Sequence, residues 1–198
     1  MGALDSFLET TGDEMRGVLS AIDKEALLSA ARLIWEAEEQ GGRVHITGIG
    51  KPAHVATYMA SLMSSTGTPA YFLHGTEAVH GSCGQLMPSD VVICISNSGE
   101  TQEMKATVTA VRNNGCKVIG VTGNAQSWLY AHADVGVIAG TRREGGPLGR
   151  APRTSILAET VVLQALSVVL QEKRALTPQE YVLRHPGGQL GQLREGEG

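Results

Sequence analysis

Ser96-Asn97-Ser98-Gly99-Glu100-Thr101 gathers three hydroxyls, an amide and a glycine into six residues, a set suited to holding a phosphate. It follows Val91-Val92-Ile93-Cys94-Ile95, an apolar run without alternation, which predicts a strand buried on both faces. A helix-like segment comes next, so the loop reads as a tight strand-to-helix turn. The first N–H groups of such a helix lack internal acceptors and carry partial positive charge, which favours an anion. Glu100 is an acid inside this anion-binding loop. It is compatible if its side chain turns away and caps N–H groups of the same turn. A second glycine-rich turn, Gly48-Ile49-Gly50-Lys51-Pro52-Ala53, formally matches G-x-G-x-x-A. As a dinucleotide fingerprint it is weak, because the next strand ends in Leu73-His74-Gly75 with no acid placed for a ribose diol. The phosphate-loop pattern G-x-x-x-x-G-K-[ST] is not matched, and a glycine turn needed only for packing is the competing reading.

These loops need strands and helices to hold them. Leu4 to Ile22 has helical spacing interrupted near Gly12, and Asp23 predicts the N-cap of a second helix closed by Gly41-Gly42. Short strands are predicted at 44–47, 70–73, 90–95, 117–122 and 135–138. Helices are expected between them, with Pro52 at the first position of one. The stretch 74–86 is a glycine-rich turn, and 140–153 is a long polar loop rich in glycine and proline. A strongly apolar helix over 154–172 and a last helix capped by Thr177 complete the chain. Strands alternating with helices at this spacing predict an α/β fold with a parallel sheet covered on both faces. Both candidate loops fall at carboxyl ends of strands, where such sheets bind ligands.

The totals agree with a single globular unit. The chain has 198 residues, 42% of them apolar and 18% charged, with net charge −4 and 4% aromatics. With no basic run and few stacking side chains, nucleic-acid and acidic-membrane partners are not expected. Cys83, Cys94 and Cys116 form no CxxC pair, so neither a disulfide framework nor a zinc site is indicated. Met1 to Ile22 lacks the apolar core of a signal peptide, and no apolar run reaches about 18 residues. The expectation is a cytoplasmic protein.

Six motifs occur in order: Gly48-Ile49-Gly50-Lys51, Ser64-Ser65-Thr66-Gly67-Thr68-Pro69, Glu77-Ala78-Val79-His80-Gly81, Ser96 to Thr101, Pro147-Leu148-Gly149 and His185-Pro186-Gly187-Gly188. Together they resemble a SIS (sugar isomerase) domain, specifically the arabinose-5-phosphate isomerase family. The resemblance implies a three-layer α-β-α sandwich of the flavodoxin-like SIS type with a five-stranded parallel sheet. It also implies a homotetramer and the interconversion of D-ribulose 5-phosphate and D-arabinose 5-phosphate without a cofactor. The domain is expected over 42–191, with N-terminal helices over 1–41 and a tail over 192–198. Longer relatives carry CBS modules after the His-Pro-Gly-Gly segment, and this chain resembles the short, SIS-only members. Three departures stand out: Pro52 replaces a usual serine, Ser82-Cys83-Gly84 follows His80-Gly81, and Arg150 and Arg153 add cations after Pro147-Leu148-Gly149.

Shifting a carbonyl along a sugar phosphate needs proton transfers through an enediol, which acids and bases of tuned pKa perform. The resemblance carries the catalytic set onto Lys51, His80, Glu103, Glu144 and His185. In it Glu144 is the base at C1/C2, raised by partial burial. His80 and His185 are proton shuttles or openers of a cyclic substrate, and Lys51 stabilises the enediolate oxygen. The C-terminal histidine would reach the site of a neighbouring subunit. Gly50, Lys51, Ser96, Asn97, Ser98 and Thr101 would hold the phosphate. Arg150 and Arg153 are either further phosphate ligands or interface residues. His45, His54, His74 and His132 read as structural or surface residues, and the His and Glu set lacks metal-ligand spacing. Two other readings stay open: an isomerase of six-carbon sugar phosphates such as 6-phospho-3-hexulose, and a non-catalytic sugar-phosphate sensor.

Overall fold

The structure, a computed structural model, describes residues 2–197, so Met1 and Gly198 of the expected end segments lie outside it. Five strands form one parallel sheet: β1 (Val44–Gly48), β2 (Ala70–Phe72), β3 (Val91–Ile95), β4 (Lys117–Thr122) and β5 (Val135–Ile138). Their spatial order is β2-β1-β3-β4-β5, so the chain reverses its direction of travel across the sheet between β1 and β3. Thr47 pairs with Cys94 and Gly48 with Ile95, so the loops leaving these two strands start side by side. All five residues of β3 are buried, as its unalternated apolar character predicts; all five of β1 are buried too, although its sequence alternates with His45 and Thr47.

Helices α1 (Ala3–Ala21), α2 (Lys24–Glu39), α3 (Lys51–Ser65) and α7 (Thr154–Arg174) cover one face. The short α4 (Gly75–Ala78), α5 (Gln102–Asn113) and α6 (Trp128–His132) cover the other, giving three layers. The last helix, α8 (Pro178–Leu183), carries the expected Thr177 cap, completed by Glu180 as a capping box. Asp23 caps α2 through the Ala26 N–H at 3.0 Å.

Two expectations about helices change. Gly12 does not interrupt α1, which runs unbroken from Ala3 to Ala21; a single glycine costs a helix only about 1 kcal/mol. Pro52 stands second in α3 rather than first, a place where its missing N–H is equally harmless. By length and composition α7 is the one described helix that could cross a membrane, although Glu159 and Gln164 interrupt its apolar run. Here its Ala158, Val162, Leu163, Leu166 and Leu170 are buried in the core against the sheet.

At the end of the sheet away from these loops, Asp90 accepts hydrogen bonds from the N–H groups of Arg43 and Met87, both at 2.8 Å. His45 Nε2 lies 3.2 Å from the same carboxylate, so this histidine is structural, as read from the sequence. At the loop end, Glu14 of α1 is buried and accepts from the Arg142 N–H (2.8 Å) and from Arg143 Nε (2.9 Å). α1 thereby holds the loop between β5 and α7, on which Glu144 lies.

Candidate active site

Gly48 ends β1 where the first turn of α3 packs against it. A Cβ there would lie 2.5–2.7 Å from the Pro52 and Ala53 backbone, so only glycine allows the approach. α3 begins after Gly50 with no side-chain cap; Pro52 has no N–H and the Ala53 N–H donates to the Gly50 carbonyl at 3.1 Å, so the Lys51 N–H is the one left for an outside acceptor. α5 begins after Thr101, also with no side-chain cap.

The loop between β3 and α5 is fixed from within. Gly99 N–H donates to the Ser96 carbonyl (3.0 Å) and to Ser96 Oγ (3.2 Å), and Ser96 Oγ lies 3.3 Å from Thr101 Oγ1. The Asn97 carbonyl accepts from Gly123 N–H (2.9 Å) and Thr122 Oγ1 (3.1 Å), which ties the loop to the end of β4. Gly99 has φ +66°, and a Cβ there would meet Ser127 Oγ at 2.2 Å. Glu100 does turn away, as expected, but not to its own turn. It accepts from the Trp128 N–H at 2.7 Å and pairs with Lys105 Nζ at 2.6 Å, so the partner helix is α6. Those bonds, from Lys105 first and Trp128 second, hold its carboxyl below the usual glutamate range.

A cavity of about 260 Å³ opens above the ends of β1 and β3. Ser96, Asn97, Ser98 and Thr101 form one wall, Ile49 and Pro52 a second, and Pro152, Ser155, Ile156 and Glu159 a third. The starts of α3, α5 and α7 therefore border one space at the switch point of the sheet. Fixed dipoles and hydroxyls of this kind suit a phosphate. Gly50 and Lys51 are exposed beside it, and Lys51 borders an adjoining groove with Pro152 and Ile156.

Glu144 serves α7. Its Oε2 accepts from the N–H groups of Arg153 (2.7 Å) and Ser155 (3.2 Å) and from Thr154 Oγ1 (3.3 Å). Burial pushes this carboxyl up, but hydrogen bonds from Ser155, Arg153 and Thr154 outweigh it and hold the group below the ordinary range. That reverses the expectation of a base raised by burial. The guanidinium of Arg153 donates to the Gly145 carbonyl, and Arg150 is exposed outside the cavity lining.

None of Lys51, His80, Glu103, Glu144 and His185 lines this cavity. Glu103 is exposed in the first turn of α5, and His80 is exposed just after α4. His185 follows α8, stacked on the Tyr181 ring at 4.0 Å with Nδ1 donating to the Tyr181 carbonyl at 2.8 Å. Glu159, which the sequence reading passed over, does line it. Its signal was a lone acid in the apolar run Ile156-Leu157-Ala158-Glu159-Thr160-Val161-Val162, on the same helical face as buried Ser155 and Val162.

Residues 39–169 match the SIS domain family. The arabinose 5-phosphate isomerase KdsD of Escherichia coli K12 is 38% identical over 170 residues, 86% of this chain and 51% of that protein. The chain thus spans about half the length of the curated relatives it matches. An Escherichia coli CFT073 protein solved in complex with arabinose 5-phosphate superposes with a TM-score of 0.85 at 33% identity, covering 92% of this chain and 95% of that one. A Bacteroides fragilis putative phosphosugar isomerase involved in capsule formation gives 0.86 at 37% identity, covering 94% and 99%.

Proposed function

This chain belongs to the SIS domain family, and on that premise we propose that it interconverts D-arabinose 5-phosphate and D-ribulose 5-phosphate. The observation that carries the reading is the cavity at the switch point, walled by Ser96, Asn97, Ser98 and Thr101 and flanked by two helix starts without side-chain caps. The phosphate satisfies those groups, with Gly50 and Lys51 beside it, and the sugar turns its carbonyl end toward α7. The names of the relatives, an isomerase of this sugar phosphate and a chain solved with the same compound, support the substrate.

Lys51, His80, Glu103, Glu144 and His185 are the residues we assign to the enediol chemistry. Glu144 is the base. Its three hydrogen bonds all go to Oε2, which keeps the group ionised and leaves Oε1 for the proton of the substrate carbon. Lys51 stabilises the enediolate oxygen, and the histidines move protons between oxygens or open the ring. His80, Glu103 and His185 lie outside the cavity of their own chain, which supports sites shared between subunits of a homotetramer. The domain boundaries of 42–191 and a cytoplasmic location belong to the same reading.

Solvent-deuterium exchange into each of the two pentose phosphates tests the function. Wild-type protein is expected to exchange and interconvert both, and Glu144→Gln neither. Binding of both sugars by the wild type without any exchange would identify a sensor and overturn the reading. Faster turnover of a six-carbon ketose phosphate would move the substrate, not the reaction.

A further inference from the structure

Glu159 lies one turn past Ser155 on α7 and is 0% exposed. Neither of its carboxyl oxygens has a hydrogen-bond partner among the described residues. Buried side-chain polar atoms are nearly always paired, and each exception calls for a cause. The same carboxyl lines the cavity that holds Ser96, Asn97, Ser98 and Thr101, with Ile49, Pro52, Pro152 and Ile156 as apolar neighbours and Ser155 one turn before it, whose hydroxyl makes no hydrogen bond to it. Burial without a protein donor disfavours the charged form of such a carboxyl. Burial first, and the charge of Glu144 second, push it up to about 8. Glu144 is driven the opposite way by the hydrogen bonds at the start of α7. Two carboxyls near the start of one helix, close enough for one charge to act on the other and with protonation pushed apart, are suited to acting as a base and an acid.

We propose that Glu159 is a further catalytic residue, the general acid that protonates the carbonyl oxygen while Glu144 takes the proton from the adjacent carbon. The inference rests on the isomerase reading above. In the first half-reaction the C–H proton passes to Glu144, its electron pair forms the C=C bond of the enediol, and the carbonyl oxygen takes the proton of Glu159. In the second half, ionised Glu159 removes the proton of the neighbouring hydroxyl, whose oxygen becomes the new carbonyl. Glu144 then returns its proton to the other carbon. Both carboxyls finish as they began, and the step needs no other reactant. The charged groups on the surrounding elements are Lys51 on α3, Glu100 and Glu103 at the start of α5, and Glu144 and Arg153 before α7. Glu100 among them is turned away to Trp128 and Lys105.

A pH–rate series on wild type and Glu159→Gln with both pentose phosphates tests this. An acid must carry its proton, so wild-type turnover should fall as the pH rises past about 8. The variant should lose about 100-fold in kcat, keep its KM, and lose that alkaline limb. Glutamine keeps the size and a donor, so a residue that only packs would leave kcat and the limb unchanged. That result overturns the inference and leaves the isomerase standing, whereas a wild type that isomerises nothing overturns both. Infrared difference spectra of the wild type give a readout independent of turnover and of any variant. A carboxylic-acid band should be present at neutral pH, vanish as the pH passes about 8, and shift on adding arabinose 5-phosphate. Absence of that band at neutral pH overturns the inference.

Discussion

Glu144 and Glu159 are the same side chain in two environments near the start of α7, and hydrogen bonding separates them. Glu144 receives donors from the start of α7, which hold its carboxyl below the ordinary range, while Glu159 receives none and burial pushes it up. Glu144 also acts as a cap, so Glu144→Gln should cost about 1 kcal/mol in urea unfolding at neutral pH. The folded carboxyl sits below its unfolded value. Its contribution is therefore present above the unfolded pKa and disappears as the pH falls through the folded one. The two proteins should converge in acid, and a gap that persists there would show that packing, not charge, is what the variant loses. Glu144 could be picked out in the sequence only through the motif set around it, because its donors come from residues nine to eleven positions later. Glu159 could have been found from helical periodicity, which puts it on the buried face with Ser155, Ala158 and Val162. An acid on such a face without a basic partner in the same helix turn is a question in itself.

Among the elements, the loop from β3 to α5 is tied both within itself and to the end of β4. Gly99→Ala would place a non-glycine residue at φ +66° and a methyl against Ser127. A cost of about 2 kcal/mol follows from backbone strain alone, before the clash. The loop should lose its geometry first, so calorimetric titration with inorganic phosphate should show weakened binding. An alanine variant that binds phosphate as the wild type does would mean the loop tolerates another path. The strand, the turn and the helix start here were all readable from local pattern, since each depends on neighbours in sequence. The partner of Glu100 was not, because Trp128 comes from a helix two elements later and only the sheet order brings it near. Likewise the buried Glu14 on α1 gave no local sign that it would hold Arg142 and Arg143, over a hundred residues away.

At the scale of the whole molecule, apolar side chains remain outside the core. Val168 on α7 is 63% exposed, Leu157 lies on the same helix, and α1 presents Leu4, Leu8 and Leu19. Such side chains clustered on two neighbouring helices suit burial against other copies. Val168→Asp should shift light-scattering mass toward the monomer and reduce turnover with it, because His185 and His80 would lose the site they serve. A variant that stays assembled and active would clear α7 of that role. The parallel sheet and its covering layers were legible from the alternation of elements, but strand order and assembly were not: order is set by long-range pairing, and an exposed valine and a buried one read alike in a helix. The tether between Glu14 and the loop of Glu144 gives the exposed face of α1 a further meaning. In the proposed assembly one side of that helix meets a neighbour, and the other holds the loop that carries Glu144. Specific activity should then depend on protein concentration: dilution past the point of dissociation uncovers the outer face of α1 while Glu14 still holds the loop within the chain, so turnover should fall before the fold is lost.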